Sequence, residues 1–219
     1  MTIRAVPALV LAPLWSNRVL PALDLPLRGR TVANALFATA YTVAFRGRPN
    51  WFSAKGLRWG IGSSALVLAG YAAVLAIPPL RRLAAGVEAR APETTTTEWI
   101  AVHIPLGTVL AEETIFRATL DPLLAGTPAA LLGPLDFGLW HLHPARSAGD
   151  PVPATLAATT LAGLLFTYLR HRSTSTTAPA LLHLTINTGA ALLPRLAILI
   201  EAKSSRCCCS GCGESVDGG

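Results

Sequence analysis

The residues in this sequence best able to do chemistry lie inside apolar runs. The stretch LAEETIFRATL, Leu110 to Leu120, carries Glu112, Glu113 and Arg117. Glu113 and Arg117 are four apart, so a helix stacks them on one face with the acid first, the better order for a pair. Glu112 points about 100° further round and need not share that partner. An ionised carboxylate in apolar surroundings is costly without a cation or hydrogen bonds. On its own the stretch also reads as a surface helix with a solvated ion pair. A paired acid beside an unpaired one instead suggests a site.

Two other apolar runs hold residues of the same kind. Phe137-Gly-Leu-Trp-His141 and His183-Leu-Thr-Ile-Asn187 each place two residues at i, i+4, on one helix face. A lone histidine in such a run is more often a hydrogen-bonded core residue than a catalyst. Three polar groups on three separate segments weaken that reading, because each must face a cavity or a partner. Together they supply a base, imidazoles and an amide donor, the parts of a hydrolytic site.

The elements that must position these groups are membrane helices. The chain has 219 residues, of which 52% are hydrophobic and only 14% charged. The mean hydropathy is +0.48. Soluble domains carry roughly 25% charged residues. The formal charge of +6 comes from basic residues in loops between apolar runs, where anionic lipid headgroups are the simpler partner. No RRM-like or zinc-finger pattern supports nucleic acid, so it is not expected as a partner.

The apolar runs set an all-α expectation: a polytopic bundle of about six transmembrane helices after an N-terminal interfacial segment. Residues 1–30 hold scattered prolines and arginines and lack a clear cleavage site, so they read as interfacial or partly inserted. Thr31 to Phe45 is a short apolar run. Arg46 to Trp59 mixes basic residues with tryptophans and suits the headgroup layer. Ile61 to Leu80 is the clearest span, stopped by Pro78, Pro79, Arg81 and Arg82. After a polar loop, Arg81 to Thr97, come Trp99 to Leu120, Leu123 to Leu142, Ala154 to Leu169 and Ala178 to Ile200. The expected organisation is a variable membrane region, 1–98, a catalytic membrane domain, 99–200, and a Cys-rich disordered tail, 201–219.

The three motifs, Glu-Glu-x-x-x-Arg, Phe-x-x-x-His and His-x-x-x-Asn in that order, resemble the signature of the CAAX protease and bacteriocin-processing family, the Abi or type II CAAX prenyl endopeptidase-like proteins. Glu112, Glu113 and Arg117 match the first, Phe137 and His141 the second, His183 and Asn187 the third. The run from Ala162 to His183 is similar to the family's approach to its last motif. Ala118 departs from the Gly that many relatives carry after the Arg. The resemblance implies an intramembrane endopeptidase in a multi-pass cell membrane, a prokaryotic plasma membrane in this case. Its substrate would be a membrane-associated peptide or lipidated protein, of the prenylated CAAX type in some relatives, cut near the C-terminus. It further implies that Glu112 activates water, that His141 holds it, and that His183 and Asn187 donate to the oxyanion. Glu113 and Arg117 would support the geometry, with Phe137 packed beside them. No cofactor is expected. The alternative is Zn2+ held by Glu112, His141 and His183.

Two other classes fit the same buried charges: a proton or metal transporter, and a non-catalytic immunity or scaffold protein. Among the remaining polar residues, His103 lies nine positions before Glu112, two and a half α-helical turns, and so is expected on the opposite face. His143 reads as a helix-end or loop residue, His171 as loop. Asp136 is expected to cap the helix that carries His141, and Asp121-Pro122 to form a turn. Cys207, Cys208, Cys209 and Cys212 lack the spaced pairs of a zinc ribbon.

Overall fold

The computed structural model describes residues 3–87, 93–126 and 128–210, and those residues form helices joined by short turns, with no strand among them. Helix α1 (Ala5–Leu14) continues through a π-helical turn, Trp15–Val19, into α2 (Leu20–Ala22). Pro26 then opens α3 (Leu27–Phe45), which stops at Arg46 in the left-handed region, φ 56°. Ser53 caps α4 (Ala54–Ala76) by accepting from the Gly56 N–H at 3.0 Å. Pro78 opens α5 (Pro78–Ala85). Thr95 caps α6 (Thr96–Glu98), accepting from the Glu98 N–H at 3.2 Å.

From α6 the chain becomes one long, irregular rod. It passes through a π-helical stretch (Trp99–Leu110), α7 (Ala111–Ile115), a second π-helical stretch (Phe116–Leu120) and α8 (Asp121–Leu124). Pro105 lies inside the first stretch. Proline has no N–H and crowds the preceding turn, and a wider π turn relieves that conflict. A 3₁₀ turn (Pro128–Leu131) leads to α9 (Leu132–Trp140), α10 (Leu142–Ser147), α11 (Val152–Ser173) and α12 (Thr177–Ser210).

Three helices among the described residues are long and apolar enough to cross a bilayer: Ala54–Ala76, Val152–Ser173 and Thr177–Lys203. They expose large aliphatic side chains such as Leu66, Leu161 and Leu199 outward, as lipid-facing helices do. The bundle is all-α and membrane-embedded. The other apolar runs are shortened or distorted by Pro105, Pro128 and Pro134 or carry arginine, as α3 does with Arg28 and Arg30.

Several boundaries differ from those expected. The span expected over 61–80 is α4, which begins at Ala54 and takes Lys55 and Arg58 into its first turns. Arg81 to Ala85 of the expected loop are helical, while Glu88 and Arg90 lie outside the described residues. Asp121-Pro122 is not a turn: Pro122 occupies the first turn of α8, where its missing N–H has no partner to lose. Asp136 is inside α9 and caps nothing. Helix α12 continues through residue 210, into the segment expected to be a disordered tail; Cys212 and the residues to Gly219 lie outside the described residues.

The N-terminal segment does more than lie at an interface. Ala5, Ala8 and Ala12 form a small-residue face of α1 that is fully buried in the core. Small residues let helix backbones approach closely, the main packing device where lipid removes the hydrophobic drive. Tyr41 on α3 donates to the Ala8 carbonyl at 3.0 Å. Ser16 donates to the Trp140 carbonyl at 2.7 Å, and Asn17 to the Leu139 carbonyl at 2.9 Å. The start of the chain thus steadies the end of α9, where His141 follows.

Candidate active site

Glu112 and Glu113 stand on α7, in the middle of the kinked rod. Both are buried, Glu113 completely. Arg117, one turn on, is 1% exposed, and its Nε lies 3.6 Å from Glu113 Oε2. Its guanidinium is 4.3 Å above the centroid of the Phe137 ring and 5.1 Å above that of Phe166. A desolvated cation over an aromatic face gains about 2 kcal/mol. Arg117 Nη2 also donates to the Gly163 carbonyl at 3.3 Å. A side chain at Gly163 would place its Cβ 3.1 Å from the Pro134 backbone, so glycine is what lets α11 approach α9. Phe137 therefore seats the guanidinium, with Phe116 edge-on at 5.1 Å.

Glu113 Oε1 accepts from His183 Nδ1 at 2.8 Å. That bond fixes the ring: Nδ1 carries a hydrogen, and Nε2 turns toward Glu112 Oε2 at 3.8 Å. Phe166 stacks on the same imidazole, centroids 4.8 Å apart. On α9 the arrangement repeats. His141 Nδ1 donates to the Phe137 carbonyl at 2.7 Å, and Nε2 turns toward Glu112 Oε2 at 3.9 Å. Glu112 Oε1 accepts from the Trp140 indole N–H at 3.1 Å. Glu112 Oε2 has no hydrogen-bond partner, although it is buried.

One carboxylate oxygen thus faces two imidazole nitrogens across gaps too long for hydrogen bonds. A water molecule between them is the simplest group to bridge such gaps. The site borders a cavity of about 820 Å³ whose wall includes Glu112, Trp140, His141 and Asn187. Asn187 follows His183 by one turn on α12. His183, 4% exposed, stands behind this wall.

Zinc would draw the same three side chains closer than they stand. Bonds of about 2.0–2.1 Å in a tetrahedron hold ligand atoms about 3.4 Å apart. The separations of 3.8 and 3.9 Å are wider. Among the described residues no group of three His, Cys, Asp or Glu is arranged to hold an ion. As placed, Glu112, His141 and His183 do not fit zinc.

Of the four expected site residues, Glu112, His141 and His183 come together, and Asn187 lines the same cavity as Glu112 and His141, with Glu113, Arg117 and Phe137 packed alongside. Two neighbours were not foreseen. Trp140 had a signal, because an indole N–H in an apolar helix needs an acceptor. Phe166 had none. His103 was expected to point away from Glu112, yet it lines the same cavity. The rod between them is mostly π-helical. Its i→i+5 bonding gives about 4.4 residues per turn, so nine residues make about two turns and return to the same face. His103 Nδ1 bonds Thr31 Oγ1 at 2.7 Å, and Nε2 faces Glu98 Oε1 at 3.2 Å. Asn34, one turn along α3, donates to the Gly107 carbonyl at 3.0 Å. A Cβ at Gly107 would meet Thr31 at 2.9 Å, so this crossing also requires glycine. His143 sits at the start of α10, as the helix-end reading expected, its N–H donating to Asn17 Oδ1 at 2.7 Å.

The family model described as Type II CAAX prenyl endopeptidase Rce1-like matches residues 94–189. No curated protein and no solved structure matches the chain. The match spans all three motifs, from the start of the rod to just beyond Asn187. Over residues 94–189 the chain is similar to the Rce1-like type II CAAX prenyl endopeptidase family.

Proposed function

We propose that this protein is an intramembrane endopeptidase that cuts near the C-terminus of a membrane-associated peptide or protein, of the prenylated CAAX type, in a prokaryotic plasma membrane. The observation that carries the reading is Glu112 Oε2: buried, without a hydrogen-bond partner, and faced by His141 and His183 at 3.9 and 3.8 Å. Leaving such an oxygen unpaired costs about 1–3 kcal/mol or more, which a reactant water recovers.

In this reading water donates one hydrogen to His141 Nε2 and the other to Glu112. Glu112 takes that proton as the water oxygen bonds to the scissile carbonyl carbon. The carbonyl oxygen becomes an oxyanion and accepts from the Asn187 side-chain amide. Glu112 then passes the proton to the leaving nitrogen as the C–N bond breaks. His183, held through Nδ1 by Glu113, presents Nε2 to Glu112 and the oxyanion beside it.

The test is reconstitution of the unsubstituted protein and Glu112→Gln in liposomes with a library of lipidated and unlipidated peptides, read by mass spectrometry. Defined cleavage by the first and none by the second is expected. Proton or metal flux dependent on Glu112 with no peptide cut would make the protein a transporter. A cellular phenotype indifferent to Glu112→Gln and His183→Ala would make it a scaffold.

A further inference from the structure

Arg30 is the only arginine or lysine among the described residues that line the cavity. Among the described residues its carboxylate partner is Glu93, through Nη2 and Oε1. Both side chains are well exposed, 40% and 57%, and an exposed pair contributes little, so another carboxylate can displace Glu93 readily. The neighbouring Arg28 is held differently. It grips Glu98 through Nε at 2.7 Å and Nη2 at 3.0 Å, and Glu98 also accepts from Thr94 at 2.7 Å. Of the two arginines, Arg30 lines the cavity, and it meets its carboxylate through one nitrogen where Arg28 uses two.

Its place along the cavity matters as much as its charge. Arg30 precedes Thr31, which bonds His103, and His103 lies nine residues before Glu112 on the same face of the rod. At 1.5 Å per residue or less, that offset is about 10–13 Å. An extended peptide covers the distance in about three to four residues. The wall between is partly apolar, with Leu20, Leu27 and Trp99.

Resting on the peptidase reading, we propose that Arg30 anchors the substrate's C-terminal carboxylate, with Glu93 holding its place in the free protein. Arginine matches a carboxylate with two parallel N–H bonds, which gives orientation as well as attraction. The enzyme would then measure its cut from the chain end and prefer a free terminus.

The experiment uses full-length Glu112→Gln protein in lipid nanodiscs. The probes are a dansyl-labelled, farnesyl-cysteine peptide with a free C-terminal carboxylate and the same peptide as its amide. Binding is read by dansyl fluorescence. The acid should bind about tenfold more tightly than the amide, as one charge-assisted contact allows. Adding Arg30→Gln should erase the preference, Arg30→Lys should keep part of it, and Glu93→Gln should tighten the acid several-fold while leaving the amide unchanged. Equal binding of acid and amide, binding of neither, or an undiminished preference in Arg30→Gln overturns the anchor. Cleavage by the protein with Glu112 intact is read separately. If it cuts the peptide without a carboxylate preference, the anchor falls and the peptidase stands. If the preference holds but nothing is cut, the peptidase reading falls.

Discussion

Glu113 Oε1 lies 2.8 Å from His183 Nδ1, a contact that joins residues 70 positions apart. The other oxygen of the same carboxylate faces Arg117 Nε at 3.6 Å. One fully buried acid therefore ties α7 to α12, offsets a buried cation and sets the tautomer of the imidazole that looks at Glu112. In the proposed reaction the second Glu of the Glu-Glu pair acts through His183, by positioning its ring.

That role makes Glu113 and Arg117 interdependent. Removing either leaves the other as an uncompensated buried charge, which costs about 3–5 kcal/mol. Arg117→Ala and Glu113→Ala should each lower the unfolding midpoint sharply in detergent. The double variant Glu113→Gln with Arg117→Met should be more stable than Arg117→Ala. Additive losses in the double variant would show that the two residues do not act as a pair.

Asn187 is assigned to the oxyanion, a group that exists only in the transition state. Asn187→Ala should lower kcat by about 10²–10³ with little change in KM. Unchanged kcat with a raised KM would make it a substrate-binding residue instead.

The start of the rod has its own acid sensitivity. The Arg28 guanidinium, helped by Thr94, holds the Glu98 carboxyl down, from its ordinary 4.5 to about 2. A carboxyl lowered on folding stabilises the folded state fully above about pH 4.5, and that contribution fades as pH falls toward 2. Unfolding midpoints of the native chain and Glu98→Gln should differ at pH 6 and converge between pH 4.5 and 2. A gap that stays constant over that interval would show that Glu98 does not hold this end of the rod.

The wide spacing of Glu112, His141 and His183 leads to a further expectation. Dialysis against a strong chelator should leave peptide cleavage unchanged. Loss of activity restored by added zinc would mean that the three side chains close around an ion.

The sequence revealed this site unevenly. Glu112, His141, His183 and Asn187 were legible because a polar residue in an apolar helix needs a reason, and their i, i+4 spacings name the faces they share. His103 was misplaced because α-helical periodicity was applied to a π-helical stretch around Pro105. The burial of α1 was obscured by Pro7 and Pro13, although Ala5, Ala8 and Ala12 lie at helical spacing. Thr31 and Asn34 carry no local mark of function; their contacts to His103 and Gly107 bridge 72 and 73 positions. Asp136 and Asp121 were assigned to a cap and a turn by residue type, while the backbone around each is helical.

The central claim is that Glu112 activates the attacking water. Single-turnover cleavage of a peptide identified in the liposome screen, compared between the unsubstituted protein and Glu112→Gln of equal thermal stability, tests it most directly. The account predicts a rate lower by about 10²–10⁴ in the variant. Cleavage by Glu112→Gln within a few-fold of the unsubstituted rate would contradict it.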